Sequence, residues 1–567
     1  MCRCPHFAFN RRNLGNRESV AGKVTWGLDP FRLLSLHHPS VRQTEWGVAN
    51  TGQPFTRVAA FVRNMAGPQA HRPRGCSIHV HELHKLLWDL PPRYTSSPAA
   101  SRWEHNQYAV ELYLQRVLRP GHPWLATSAK SADVILTATN FSLWCFLGKG
   151  RSASRLWQEA VRKDILWPRP RSGTRAVMLM PHTYSQCPPP SDLATQNVTA
   201  LVEYARRPRD VRNGLTVVSP FVVSEPGWLV QPAGSRATRP TGHARVVWAA
   251  RSGRLIFMAG HVPKIGFRRT RFRLWQQLQR EPRATVLSPT LACSVGSYHV
   301  CRMDDGFLQR QNKTFFDSFC HPFCGTHLGA SQPLGTKWSR KLNRSKISRV
   351  HCGGPMNKRV TAAVMYRNLR SACKAHDPLD VDFAAVLPAM VRDTRRLTHS
   401  AYLESAMSHR FCLIAPGDFV STHKISESIV IGGAGGCIPV IVLPRVLKDG
   451  GGQTGRSDRS LGPSVAMHLP YSRWLDYCSI AYLVAESTAE ADFASVLERL
   501  SRVTSEEAAA KHAALRVVRE AFVFRFGSTP EQPTAAEYIL DEACALARRS
   551  SNPMPVAGGD HGKCTLG

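Results

Sequence analysis

The stretch from Tyr402 to Leu443, YLESAMSHRFCLIAPGDFVSTHKISESIVIGGAGGCIPVIVL, constrains this chain more than any other. A short helical run, Tyr402–Ser408, leads into an apolar strand, Phe411–Ala415. A turn at Gly417-Asp418, a helix from Thr422 to Ile431, a glycine-rich turn and a second apolar strand, Ile438–Leu443, follow. Strands that are apolar at every position, rather than at every second one, are buried on both faces, as in parallel sheets. Parallel neighbours need a crossover, and the helix between them supplies it. Its first turn then lies at the carboxyl end of a parallel strand, where α/β proteins bind ligands. The dipole and the N–H groups at that end favour a phosphate. Ser421 or Thr422 is placed to cap the helix. Lys424 and Glu427, three residues apart, share one face of it. A lysine facing a pyrophosphate and a carboxylate facing sugar or ribose hydroxyls would grip a nucleotide sugar. Spacing alone favours the plainer reading, a solvated ion pair between residues three apart.

The rest of the chain repeats the same alternation. Strand patterns occur at Cys76–Leu83, Ala132–Leu136, Ala176–Met180 (stopped by Pro181), Thr216–Val223 and Arg254–Gly260, and a helix pattern at Tyr108–Leu118. A basic amphipathic helix is predicted over Phe267–Leu278, and two more over Ser505–Phe524 and Ala535–Ala547. Alternating strands and helices imply parallel α/β sheets. The proline- and glycine-bearing stretch Glu225–Gly242 reads as a linker. The expected organisation is a poorly ordered leader (1–75), a first α/β domain (76–240), a second (241–500) and C-terminal helices with a tail (501–567). A Cys- and Arg-rich insertion is expected at about 281–358.

Composition narrows the functional classes. With 567 residues, 43% hydrophobic and 20% charged, the chain is globular and long enough for two cores. Its 74 basic and 40 acidic residues give a net charge of +34, which suits polyanionic partners. Arginine is spread along the whole sequence, however, as general compositional drift would leave it. No P-loop, zinc-finger or RNA-binding aromatic motif is present, so no specific nucleic-acid partner is expected. No apolar run reaches the ~20 residues of a membrane span, and the first 30 residues lack the apolar core of a secretory signal. Acceptor tripeptides for N-glycosylation begin at Asn140, Asn197, Asn312 and Asn343 and hint at a lumenal life.

Other groupings carry less. Asp380-Val-Asp382 has the spacing of a metal–nucleotide chelate but is a common tripeptide, and no metal is expected. Cys320 and Cys324, with Cys301, Cys352 and His327, fit local disulfides better than a zinc site. Cys412 and Cys437 read as buried packing residues. His182 ends a strand, where it either serves as a base facing an acceptor or orients a loop. Arg268–Arg273 either touches an acidic ligand or forms a solvated face.

The segment described first resembles the C-terminal signature of the exostosin family (glycosyltransferase family 47). The matching residues are Ser408, Phe411, Cys412, Leu413, Pro416, Gly417, Asp418, Lys424, Glu427, Ser428, Ile429 and Gly436–Ile441. The resemblance extends upstream in order: Ile78–Leu83 with Pro91–Tyr94, Tyr108 and Glu111, Ala132-Asp133, Arg171–Arg175 with His182, Asp210–Phe221, and Leu255–Gly260 with Arg271 and Leu274. It departs from the family at Thr183, at Lys424 (where arginine is usual) and at Gly432–Gly435, which reads as a lengthened turn. The resemblance implies two Rossmann-like domains facing a cleft, the GT-B type. It also implies inverting transfer of a sugar from a nucleotide-diphosphate sugar to a glycan hydroxyl, without a bound metal. By the same resemblance Gly260, Arg271, Gly417, Asp418, Ser421, Lys424 and Glu427 would bind the nucleotide sugar. A Golgi location with an N-terminal anchor is implied too; with none visible, the true start lies upstream or entry uses an atypical signal. The competing expectation is a noncatalytic glycan- or polyanion-binding protein on the same fold.

Overall fold

The computed structural model of the chain describes residues 76–82, 106–118, 120–138, 141–146, 177–181, 198–202, 216–223, 248–251, 253–262, 270–288, 303–312, 397–416, 422–443, 469–472, 474–525 and 533–548, with isolated positions at 155, 158–159, 291, 363, 366–367, 370, 385–386, 389, 392–393 and 566. Their strands form two five-stranded sheets, each wholly parallel. The linker expected at Glu225–Gly242, the leader and most of the 281–358 segment lie outside the described residues.

The first sheet runs β1 (Ile78–Glu82), β2 (Val134–Ala138), β3 (Val177–Pro181), β4 (Val198–Val202) and β5 (Thr216–Val218), with spatial order equal to chain order. Helix α1 (Val110–Val117) lies in the β1–β2 crossover, and α2 (Phe141–Phe146) follows β2. Val110, Tyr113 and Leu114 recur at helical spacing, and that face of α1 is the buried one. Strand β4 was not anticipated in the sequence. Strand β5 is shorter than the expected Thr216–Val223. Pro220 has no N–H for a ladder, and Phe221–Val223 continue as buried chain outside the sheet, with the Val222 N–H donating to the Gln107 carbonyl at 3.1 Å.

The second sheet contains β6 (Ile256–Ala259), β7 (Ala284–Leu287), β8 (Phe411–Ile414), β9 (Ile438–Leu443) and β10 (Tyr482–Ala485) in the order β7-β6-β8-β9-β10. Helix α3 (Thr270–Leu278) joins β6 to β7, and α4 (Asp305–Gln309) comes after β7. Helix α5 (His399–Ser408) precedes β8, and α6 (His423–Gly433) joins β8 to β9. Then come α7 (Tyr477–Ile480), α8 (Glu486–Ala491), α9 (Phe493–Ser501), α10 (Ser505–Val518) with a 3-10 turn at Arg519–Phe522, and α11 (Ala535–Arg548). Strand β7 corrects the expected insertion boundary of 281: the sheet claims residues 284–287. As a half-buried edge strand, β7 carries too short an apolar pattern to stand out.

Two further expectations change. Gly432–Gly435 is not an enlarged turn. Gly432 and Gly433 are the last residues of α6, and Gly435, at φ +88°, makes the left-handed turn that ends it. A Cβ on Gly432 would stand 2.8 Å from Leu515 Cδ1, and one on Gly433 2.8 Å from Arg519 Cβ, so these glycines let α10 and its 3-10 extension close on α6. Cys412 and Cys437 are buried, but as a disulfide with Cα atoms 5.4 Å apart, joining β8 to the residue before β9. Parallel neighbours bring the two residues together, which local sequence context does not reveal.

The chain then returns to the first sheet. Helix α11 packs beside α1 and over β2, β3 and β5. Tyr113 of α1 meets Phe524 with ring centroids 5.1 Å apart, and a disulfide joins Cys76, just before β1, to Cys544 of α11. The two sheets are therefore tied by the C-terminal segment as well as by the chain between β5 and β6.

Candidate functional site

In the second sheet, β6 is followed on one side by β7 and on the other by β8, so the order in which the parallel strands are laid down reverses between β6 and β8. At such a switch point the two outgoing connections diverge and leave a crevice beyond the strand ends, which is where open parallel sheets bind ligands. The carboxyl end of β6 leads to Gly260. A side chain there would have nothing within 4 Å, so the space beside this backbone is open. Arg271 of α3 spans the switch point: Nη1 donates to the His261 carbonyl at 2.6 Å and Nη2 to the Ala415 carbonyl at 3.2 Å. Its guanidinium holds the ends of β6 and β8 together.

Helix α6 starts at this same edge. Its apolar residues Ile425, Ile429, Val430 and Ile431 are all fully buried, which pins the helix against β8, β9 and α10 and fixes where its first turn lies. Thr422 is the N-cap, but its side chain caps nothing; its Oγ1 is buried with no hydrogen-bond partner among the described residues. The capping expected of Thr422 is thus absent. Ser421 lies outside the described residues, as do Gly417, Asp418 and His182.

Lys424 and Glu427 are brought together more tightly than a solvated pair. Lys424 Nζ donates to Glu427 Oε2 at 2.6 Å, and the Glu427 side chain is only 6% exposed against 33% for Lys424. The Tyr402 hydroxyl, from α5, donates to the same oxygen at 2.9 Å. His423 Nδ1 lies 3.4 Å from Oε1. Burial alone would raise the Glu427 pKa. The charges of His423 and Lys424, with hydrogen bonds from Lys424 and Tyr402, outweigh that cost and bring it down to about 2. Glu427 is therefore an anion at any physiological pH, and its two oxygens hold two neighbouring side chains of α6 in place.

The first half of the molecule touches α6 at this point. The Phe221 N–H donates to Ser426 Oγ at 3.1 Å, and the Phe221 ring stands edge-on to His423 at 6.2 Å. Tyr108 packs against Phe221 in turn, at 5.9 Å. His423, Ser426, Tyr402 and Phe221 are parts of this arrangement that sequence reasoning did not single out. The signal for Tyr402 and Ser426 was present only as helical spacing toward β8 and β9. Phe221 closes the Asp210–Phe221 stretch of the resemblance, but nothing local shows that it meets Ser426, 205 residues away.

Chemically, the edge combines a helix N-terminus, one half-exposed ammonium oriented by a buried carboxylate, and an open backbone at Gly260. That set can hold an anion such as a phosphate or diphosphate. Among the described residues no three His, Cys, Asp or Glu side chains are grouped to hold a metal ion. Asp380, Asp382 and the cysteines Cys301, Cys320, Cys324 and Cys352 are outside them. No helix among the described residues is long and apolar enough to cross a membrane.

Comparison with known families places a match on this part of the chain. Residues 353–500, which include α5, β8, α6, β9 and β10, match the family model for the Exostosin GT47 domain. No curated protein matches the chain.

Proposed function

Because residues 353–500 match the family model for the Exostosin GT47 domain, we propose that this chain is an exostosin-type glycosyltransferase that transfers a sugar, with inversion, from a nucleotide-diphosphate sugar to a glycan hydroxyl. The carrying observation is the oriented Lys424 ammonium on the first turn of α6, at the switch point of a parallel sheet. We read the two sheets as the two halves of a GT-B-type enzyme facing a cleft. The second binds the donor at Gly260, Arg271, Gly417, Asp418, Ser421, Lys424 and Glu427, and the first binds the acceptor.

The division of labour follows from the contacts. Sugar transfer breaks the bond between the anomeric carbon and the diphosphate oxygen, so negative charge accumulates on the leaving diphosphate. Fixed positive charge already in place stabilises that charge without reorganisation, and Lys424 with the helix dipole supplies it. Glu427 keeps Lys424 from swinging into solvent, so its contribution is orientation as much as contact. Arg271 fixes the floor of the crevice by tying its two strand ends together. Inversion further requires a general base to take the proton of the acceptor hydroxyl; His182 is our candidate.

The Cys76–Cys544 and Cys412–Cys437 disulfides and the exposed Asn312 acceptor site support a secretory-pathway lumen, where thiols oxidise and glycans are attached. The test is a screen of UDP- and GDP-hexoses and pentoses for hydrolysis and for transfer to a panel of oligosaccharides. Transfer with inverted anomeric configuration supports the proposal. No turnover of any donor, with no stabilisation of the protein by any nucleotide, would instead favour a noncatalytic glycan- or polyanion-binding protein on the same fold.

A further inference from the structure

We propose that Tyr402 is a positioning residue for the donor site, its hydroxyl fixing the Glu427 carboxylate and its ring face seating the Lys424 ammonium. The inference rests on the reading of α6 as the donor helix and adds a residue from another element to it. Tyr402 belongs to α5, ahead of the strand–loop–helix unit, and reaches α6 because the two helices pack together. Its hydroxyl donates to Glu427 Oε2 at 2.9 Å, the same oxygen that accepts Lys424 Nζ at 2.6 Å. Nζ also stands 3.9 Å from the centroid of the Tyr402 ring. The ammonium is thus held from two sides, by a carboxylate and by an aromatic face, and both are set by one tyrosine. The tyrosine is itself braced: its ring lies 5.5 Å from that of Phe257 in β6, the strand at the switch point. Burial, and then the Glu427 charge, raise its pKa well above the ordinary value, so the hydroxyl keeps its proton and remains a donor.

A lysine side chain is a flexible stem ending in a point charge. Without the seat, Lys424 keeps its charge and its bond to Glu427 but gains alternative rotamers, and a diphosphate must then pay to order it. Removing the hydroxyl alone should weaken binding modestly. Removing the ring as well should approach the loss of the lysine itself.

The full-length parent, Tyr402→Phe, Tyr402→Leu and Lys424→Ala proteins would be titrated calorimetrically with UDP, GDP, ADP and CDP, each after a circular-dichroism melt confirms folding. For the diphosphate that the parent binds best, Tyr402→Phe should bind about three- to tenfold more weakly, and Tyr402→Leu should come within about twofold of Lys424→Ala. In Tyr402→Phe the Glu427 carboxylate, followed by carbon NMR, should also titrate at a higher pH than in the parent, a change that general loosening of α5 would not produce. Should Tyr402→Leu fail to fold, Tyr402→Phe carries the test, since it deletes a single oxygen. Parent affinity and an unshifted Glu427 titration in Tyr402→Phe, with binding lost in Lys424→Ala, would overturn the role of Tyr402 and leave the donor helix standing. A parent protein that binds none of the four diphosphates overturns the donor reading itself, and the role of Tyr402 with it.

Discussion

Glu111 and Glu427 are two buried glutamates that the same physics sends in opposite directions. Glu427 is surrounded by cationic and hydroxyl donors and stays ionised. Glu111, fully buried on α1, accepts the backbone N–H groups of Ser142 and Leu143, at 3.2 Å each, and the Ser142 hydroxyl, at the start of α2, with no cation beside it among the causes of its shift. Burial outweighs these hydrogen bonds and raises its pKa to about 8. The sign of the pH effect follows. Between the ordinary value near 4.5 and about 8, the folded chain holds a proton that the unfolded chain has released. The contribution of Glu111 to stability is therefore full below about 4.5 and is lost as pH rises through about 8. Glu111→Gln cannot titrate and should gain on the parent as pH rises. We expect the melting-temperature difference, variant minus parent, to be more positive at pH 8.5 than at pH 5. A difference that does not change with pH would show that Glu111 is solvated.

Helix α6 concentrates the demands at the level of elements: its first turn serves the site and its last turn must meet α10 closely. Gly432 and Gly433 make that approach possible. Gly433→Ala would put a methyl group against Arg519 and the Leu515 carbonyl, so overpacking should lower stability by about 1–3 kcal/mol in denaturant titrations. Unchanged stability would mean that the two helices sit further apart than described. The same helix shows what was legible in the sequence. The uninterrupted apolar runs of β8 and β9 and the 3.6-residue period between them identified strand, helix and strand, and Lys424 and Glu427 on one face. The glycine run was misread because a lengthened turn and a tightly packed helix end share one composition; the difference lies in distant neighbours in the sequence, Leu515 and Arg519. Strands β7 and β10 were missed because four residues carry too little periodicity. Tyr402 and Phe221 enter the site only through packing, which no local pattern encodes.

For the whole molecule, the C-terminal segment is the unexpected feature. Helix α10 packs on α6 in the second sheet's layer, and α11 then packs on the first sheet and is locked there by Cys76–Cys544, across 468 residues. Helix α6 and the first half of the chain are thereby linked twice, through Phe221–Ser426 and through this return. Closing so long a loop restrains the unfolded chain strongly, and Cys544→Ser should lower stability by about 2–5 kcal/mol. Non-reducing peptide mapping should recover the Cys76 and Cys544 peptides as one species. Free thiols at both positions in protein from its native compartment would contradict both the link and the lumenal assignment.

The central claim is that the first turn of α6, with Lys424 at its face, holds the diphosphate of a sugar donor. Thermal unfolding with and without saturating nucleoside diphosphate tests it most directly, because a ligand at one hundred times its Kd stabilises the folded state by about 2.7 kcal/mol. The account predicts that at least one of UDP, GDP, ADP and CDP raises the melting temperature of the parent, and that the rise disappears in Lys424→Ala. No rise with any of them, or an equal rise in parent and variant, would contradict it.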